Sequence, residues 1–373
     1  MKKLAALLLA LCMLMALAAC GTTQSAPAEE PAPAEEATPA EEAAPAEEAA
    51  PAEEAAEAEA YPVKAVTMIV PYGAGGTTDL VGRQLAAALS KTLGVSIVVE
   101  NQAGASGSVG CQAALDGPRD GSMVLFTAES LGTQRVMGIS EMSYADFSPI
   151  YAVANDPKVI VVAKDSPYDT IEDLLTAIKE NPDTIQMAYT GPGGSGHVQA
   201  LIMNQFGYYP ALTAYSSGSD GIIAVMGKQV VFTNSNFSTV ANYIEAGELK
   251  LLTVCAPERM AQYPDVPALA EYMEGSEKLL SIPYTPLSLM VANGVPENVQ
   301  AMLRSACEKA FQDPDFVSFM ESNNIDKLYE KYTTIDEIQA FYSEWESTVC
   351  WLMADAGATQ FSPEEFGIAR PAA

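Results

Sequence analysis

Apolar positions along the chain fall into two kinds of pattern that alternate. Short β-branched runs read as buried strands: Val66 to Val70, Ile97 to Val99, Met123 to Phe126, Val159 to Val162, Ile185 to Tyr189, Val230 to Phe232 and Leu249 to Val254. Between them lie stretches with a period near 3.6. Leu80, Val81, Leu85 and Leu89 form one helical face, and Ile338, Phe341, Tyr342, Trp345 and Val349 form another at i, i+3, i+4, i+7 and i+11. Thr170 with Asp173, and Thr334 with Glu337, have the spacing of a capping box, in which two residues satisfy each other's backbone N–H groups at a helix start. Strands alternating with helices mean βαβ units and mostly parallel sheets covered on both faces. The series breaks at Asp156-Pro157 and begins again. We therefore expect two α/β lobes: residues 61–155 plus 286–373, and residues 156–285. Hinges are expected near Asn155-Asp156 and Ile282 to Thr285.

The N-terminal pattern is different. Lys2 and Lys3 precede an apolar run from Leu4 to Ala19, which is shorter than a comfortable membrane span of ~20 residues. This reads as a signal peptide over residues 1–19. Its end, Leu17-Ala18-Ala19-Cys20-Gly21, resembles the lipobox of bacterial lipoproteins. That resemblance implies cleavage before Cys20, acylation of Cys20 and an anchor on the extracytoplasmic face of the membrane. Gly21 to Ala60 repeat Ala, Pro and Glu-Glu, with twelve glutamates and no basic or aromatic residue. Such a segment cannot bury enough apolar surface to offset its ordering entropy, so it reads as an extended tether.

Charge narrows the partners. The formal charge of −29 falls to −19 for residues 61–373 once two signal lysines and twelve tether glutamates are set aside. No basic patch remains, so nucleic acid is not an expected partner. Cys111, Cys255, Cys307 and Cys350 are far apart and His197 is the single histidine, so neither a metal site nor a metal cofactor is expected.

Two Gly-rich segments carry the candidate chemistry. One is Tyr72-Gly73-Ala74-Gly75-Gly76-Thr77-Thr78-Asp79; the other is Thr190-Gly191-Pro192-Gly193-Gly194-Ser195-Gly196-His197. Each lies between a strand and a helix. Unpaired N–H groups at the positive end of a helix dipole receive anions without a charged side chain, and glycine lets a ligand approach the backbone. Ser130, Ser217, Ser219 and Asn234 follow predicted strands and are candidate contacts on the same side. Asp79 and His197 have a competing reading, as a helix cap and as a brace for its own loop.

Enzymatic readings of the second segment fail on spacing. Gly191, Gly193 and Gly196 match a dinucleotide fingerprint, but an exported chain has no such cofactor pool. His197 and Val198 stand where a P-loop needs Lys and Ser or Thr. Ser195 lacks the final glycine of a nucleophile elbow, and no second histidine is present to serve it. The expectation is a binding protein without catalysis or cofactor.

Many segments in order resemble the substrate-binding proteins of tripartite tricarboxylate transporters, the Bug family. Tyr61-Pro62-Val63-Lys64 and Ile69-Val70-Pro71 lead into Gly75 to Asp79. Glu100-Asn101-Gln102-Ala103-Gly104-Ala105-Ser106-Gly107, Arg119-Asp120-Gly121, Ala214 to Gly218, Gly247 to Lys250, Pro257-Glu258-Arg259 and Tyr263 to Pro267 follow. The resemblance covers nearly all of Tyr61 to Gly357. It implies a Venus-flytrap fold of the periplasmic-binding-protein (type II) kind, whose two lobes close on a small organic carboxylate gripped by the two Gly-rich loops through backbone N–H groups, small hydroxyls and water. It also implies a monomeric receptor serving a permease with one large and one small membrane subunit. Gln102-Ala103, Arg119 and the Ser216-Ser217-Gly218 loop depart from the family pattern, which bears on the ligand's identity. A ligand-sensing or structural surface lipoprotein of the same fold remains an open alternative.

Overall fold

A computed structural model describes residues 60–371. The signal segment, the acylation expected at Cys20 and the tether up to Glu59 lie outside the described residues.

Eleven strands and ten α-helices are present among the described residues. The chain runs β1 (Ala65–Val70), α1 (Thr77–Leu93), β2 (Ser96–Asn101), α2 (Ser108–Asp116), β3 (Met123–Thr127) and β4 (Phe147–Asn155). It continues through β5 (Lys158–Ala163), α3 (Ile171–Glu180), β6 (Gln186–Tyr189), α4 (Ser195–Gln205), β7 (Ala211–Ala214), α5 (Gly218–Met226), β8 (Phe232–Asn236), α6 (Phe237–Glu245) and β9 (Leu249–Val254). After the short α7 (Glu277–Leu280) come β10 (Pro286–Ala292), α8 (Glu297–Ala310), α9 (Pro314–Ser322), β11 (Asp326–Lys327) and α10 (Ile335–Asp355).

The strands form two sheets, ordered β11-β4-β10-β3-β1-β2 and β7-β6-β8-β5-β9. Helices flank both, giving the expected two-lobed α/β architecture. Most strands in each sheet share one direction. Each sheet nevertheless has a reversed strand in its interior: β10 lies antiparallel to both β3 and β4, and β5 antiparallel to both β8 and β9. The sheets are therefore mixed, and the cause is topological. The chain leaves β4 at the edge facing the second sheet and enters β5 from that same edge, so β5 must run back. It leaves β9 and enters β10 in the same way.

Burial follows the predicted patterns. Val81, Leu85 and Leu89 of α1 are buried, as are Ile338, Phe341, Tyr342, Trp345 and Val349 of α10. Both capping boxes form: the Thr170 hydroxyl accepts from the Asp173 N–H and the Thr334 hydroxyl from the Glu337 N–H, while each carboxylate accepts from its cap residue's N–H. Caps of this type contribute about 1 kcal/mol each. Helix α10 also pins the returning crossover, because Trp345 Nε1 donates to the Pro283 carbonyl at 2.8 Å and Tyr342 OH donates to Ser288 Oγ at 2.7 Å. The four cysteines of the described part are free and buried.

Glu346 of α10 lies only 14% exposed, with Arg135 Nη2 at 3.8 Å, too far for a hydrogen bond. Burial pushes its carboxyl up to about 7, and Arg135 only partly opposes this. The folded chain therefore holds this proton at pH values where the unfolded chain has lost it. The associated stability is present below about pH 4.5 and lost as pH rises to about 7. Glu346→Gln is expected to raise the thermal midpoint at pH 8, by at most about 3 kcal/mol of stability, and to change it little at pH 4.5. Melting curves of both proteins at the two pH values check this; equal shifts at both would remove the titration from the explanation.

Candidate functional site

The edges of the two sheets that face each other are built from strand ends. β1, β3, β4, β6 and β8 finish there, and because β5 and β10 are reversed, they begin there. A cavity of about 50 Å³ lies between these edges. From the first sheet it is lined by Tyr72, Gly76, Thr77 and Thr78 after β1, by Ala128 and Glu129 after β3, and by Thr285 before β10. The second sheet contributes Lys158, Thr190, Ser195, Ser217, Gly218, Asn234, Ser235 and Asn236, among others. A wider groove of about 700 Å³ adjoins it, sharing Tyr72, Thr190 and Ser216 and adding Ser106, Gly191 and Pro192.

Eight of the residues expected from sequence meet at the cavity: Tyr72, Gly76, Thr77, Thr78, Thr190, Ser195, Ser217 and Asn234. The other Gly-rich positions act as contact surfaces between the sheets' loops. A Cβ on Gly73 would stand 2.9 Å from the Ser217 Cβ, and one on Gly75 would stand 3.0 Å from Ser219 Oγ. Gly193, at φ +81°, would bring a Cβ within 2.6 Å of Thr133 Oγ1, and Thr133 donates to the Gly193 carbonyl at 2.9 Å. Ser106 Oγ donates to the Pro192 carbonyl at 2.9 Å beside Gly191, which lines the groove. Glycine is required here by the close approach of the opposite loop. Ala74 is exposed at the tip of the first loop, and Gly196 packs behind the cavity against Tyr189 and the Asn234 side chain.

Three expected residues are committed elsewhere. Asp79 accepts from the Gly75 N–H at 2.9 Å and from Asn101, and pairs with Arg83 at 2.8 Å, so it braces its loop. Those bonds hold its carboxyl below the usual range even though burial opposes them. His197 Nδ1 accepts from the Gly193 N–H at 3.2 Å, closing its loop on itself, and burial lowers its pKa. Ser130 is 2% exposed, bonded to Tyr72 OH and donating to the Ser106 carbonyl.

Helix starts converge on the cavity, and the protein already occupies several of them with its own carboxylates. The Ser195 N–H at the start of α4 donates to Glu129 Oε1 at 2.6 Å, from one sheet's loop to the other's. The Ser238 N–H in the first turn of α6 donates to Asp156 Oδ1 at 3.3 Å. Asp156 is fully buried and also accepts from the hydroxyls of Thr77 and Ser238. Burial raises its carboxyl to about 6 against the pull of those hydroxyls. At α1 and α5 the situation differs: the N–H groups of Thr77, Thr78 and Gly218 have no hydrogen-bond partner among the described residues and border the cavity. These are the positions where an anion meets the positive ends of two helix dipoles.

Glu129 and Lys158 were not expected from sequence. Lys158 is 4% exposed, and its Nζ makes one hydrogen bond, to the Asn234 carbonyl at 3.2 Å. Burial lowers its pKa; Glu129 first and Asp156 second oppose that. A strand's first residue is not where ligands are sought in a parallel sheet, and only the reversal of β5 brings Lys158 to this edge. Glu129 lies two residues past the end of β3, beside Ser130, and a charged residue at that strand end was the available signal.

A family model described as the tripartite tricarboxylate transporter family receptor matches residues 81–344. The chain belongs to this family. It is a solute-binding protein of an extracytoplasmic family, not an enzyme. Protein BugT of Bordetella pertussis is 27% identical over 259 residues, covering 68% of this chain and 78% of the relative. A UPF0065 protein encoded in the gbd 5' region of Cupriavidus necator is 27% identical over 279 residues, covering 73% and 82%. The solved structure of the periplasmic binding protein BugD superposes with a TM-score of 0.74 at 26% identity, covering 80% of this chain and 99% of that one. MatC from Rhodopseudomonas palustris with bound malate shares the fold, with a TM-score of 0.69 at 22% identity, covering 78% and 100%.

Gly73→Val is expected to leave the fold intact, since Gly73 needs no positive φ and its contact is with the opposite loop. The added side chain holds the loops apart where Ser217 must approach. Affinity for any solute the unsubstituted receptor binds should fall about tenfold or more, with an unchanged melting curve in the absence of solute. Calorimetric titration of both proteins is the check, and equal affinities would show that this loop contact does not accompany binding.

Proposed function

We propose that this receptor captures a small organic carboxylate between its two lobes, residues 61–155 plus 286–373 and residues 156–285, and presents it to a permease of one large and one small membrane subunit. The observation that carries this reading is the cavity between the sheet edges, with the free first-turn N–H groups of α1 and α5 and the buried Lys158 at its wall. These groups attract negative charge, the Thr78 hydroxyl offers hydrogen bonds of either sense, and the hydroxyls of Thr77 and Ser217, which already donate to Asp156 and Asp220, can accept. Two solved structures of this fold at 21–22% identity contain carboxylates, adipate in one from R. palustris and malate in MatC. Closure would bend the crossovers at Asn155-Asp156 and Ile282 to Thr285, where Asn155 Oδ1 accepts from the Thr285 N–H at 3.1 Å. In this reading Gly21 to Ala60 form a tether, and acylated Cys20 holds the receptor, as a monomer, on the extracytoplasmic face.

Titration of the full chain with mono-, di- and tricarboxylates and amino acids tests the binding. At least one carboxylate should raise the thermal midpoint, since ligand at 100 times Kd adds about 2.7 kcal/mol; no response to any would defeat the reading. Cys20→Ser should move the protein from the membrane fraction to the soluble one, and a variant that stays with the membrane would defeat the lipid anchor.

A further inference from the structure

The cavity contains two buried groups of opposite formal charge that do not pair with each other. Glu129 is 4% exposed; its Oε1 accepts from the Ser195 N–H, and its Oε2, also buried, has no hydrogen-bond partner among the described residues. Lys158 is equally buried, with one bond to a carbonyl and two N–H groups remaining. Both line the same cavity, yet no ion pair within 4 Å joins them. Burying an unpaired charge is costly, and a buried carboxylate oxygen left without a partner, on a residue that lines the cavity, calls for an explanation. Capping α4 explains Oε1 alone, and an amide oxygen would do that as well.

We propose that Glu129 and Lys158 select a zwitterion: a small solute whose ammonium group meets Glu129 Oε2 while its carboxylate lies between Lys158 Nζ and the free N–H groups at the starts of α1 and α5. This rests on the solute-capture reading above and names the ligand class for that site. Each charge of such a solute finds a partner of the opposite sign, and each buried protein charge gains the partner it lacks. A simple dicarboxylate would instead turn its second anionic end toward Glu129, where like charges at close range in a poorly solvated site repel. A plain monocarboxylate would satisfy Lys158 and leave Glu129 Oε2 as it is. The cavity is small, about 50 Å³, which favours a short chain.

The test is calorimetric titration of the full chain with three length-matched sets: glycine, acetate and malonate; β-alanine, propionate and succinate; 4-aminobutyrate, butyrate and glutarate. In at least one set the amino acid should bind about tenfold or more tighter than both partners, the factor given by one charge-assisted hydrogen bond. Glu129→Gln, which keeps an acceptor for the Ser195 N–H, should erase that preference while retaining affinity for the plain carboxylate. Lys158→Met should weaken the amino acid and the carboxylate alike. If a mono- or dicarboxylate binds as tightly as the matching amino acid, the zwitterion assignment is wrong and carboxylate capture stands. If no compound in any set binds, both are overturned for solutes of this size. Retention of the amino-acid preference in Glu129→Gln would remove Glu129 from its role. Should that variant fail to fold, the affinity ratios of the unsubstituted protein decide the question on their own.

Discussion

The carboxylate of Asp156 sits where the chain first crosses from one sheet to the other, and the starts of two helices close on it. Thr77 from the start of α1 and Ser238 from the start of α6 donate to it through their hydroxyls, and the Ser238 N–H adds a third bond. Asn236 donates from its side chain to the Asp156 carbonyl at 3.0 Å and to Thr285 Oγ1 at 2.9 Å, linking this crossover to the returning one. A buried carboxylate is tolerated because hydrogen bonds and a helix dipole replace its water. The consequence is that both crossovers share one anchored point.

The same crossovers determine the electrostatics of the cleft. A strand entered at the cleft edge runs opposite to its neighbours, and its first residue then sits among their ends. Lys158 and Thr285 reach the site in this way. Helix starts gathered at the same edge would make a strongly anion-seeking surface. Glu129 at α4 and Asp156 at α6 neutralise part of it, and Asp79 braces the loop before α1. What remains open to a solute is the pair of starts at α1 and α5, with the buried Lys158 and Glu129 in the same wall. A chain of net charge −29 with six arginines can thus hold an anionic group at short range without a basic surface.

Much of this was legible in the amino-acid order. Periodicity located β1, β2, β3, β5, β6, β9, α1 and α10 but not β4 or β10, its Val230 to Phe232 run meets β8 only at Phe232, and the two capping boxes formed as their Thr–acid spacing predicted. The Gly-rich segments were found as loops at strand ends, and Thr77, Thr78, Thr190 and Ser195 do border the cavity. Their glycines serve a purpose that local sequence does not encode: Gly73 and Gly193 are small because Ser217 and Thr133 of the opposite loops lie within 3 Å of where a Cβ would stand. Contacts between residues 60 to 144 positions apart are invisible to a local pattern. Lys158 was missed for a related reason, since the start of a hydrophobic run gives no sign that its strand is reversed. The edge strand β7 and all of β8 after Phe232, with its polar Thr233 to Asn236, also lack the apolar signature by which strands are recognised.

The central claim is that a solute is held by approach of the two lobes around the Asp156 anchor. Small-angle X-ray scattering of the full chain, with and without a saturating solute identified by titration, tests it most directly. The account predicts a smaller radius of gyration in the bound state, with unchanged mass. A bound solute that leaves the scattering curve unaltered would contradict closure as the binding step.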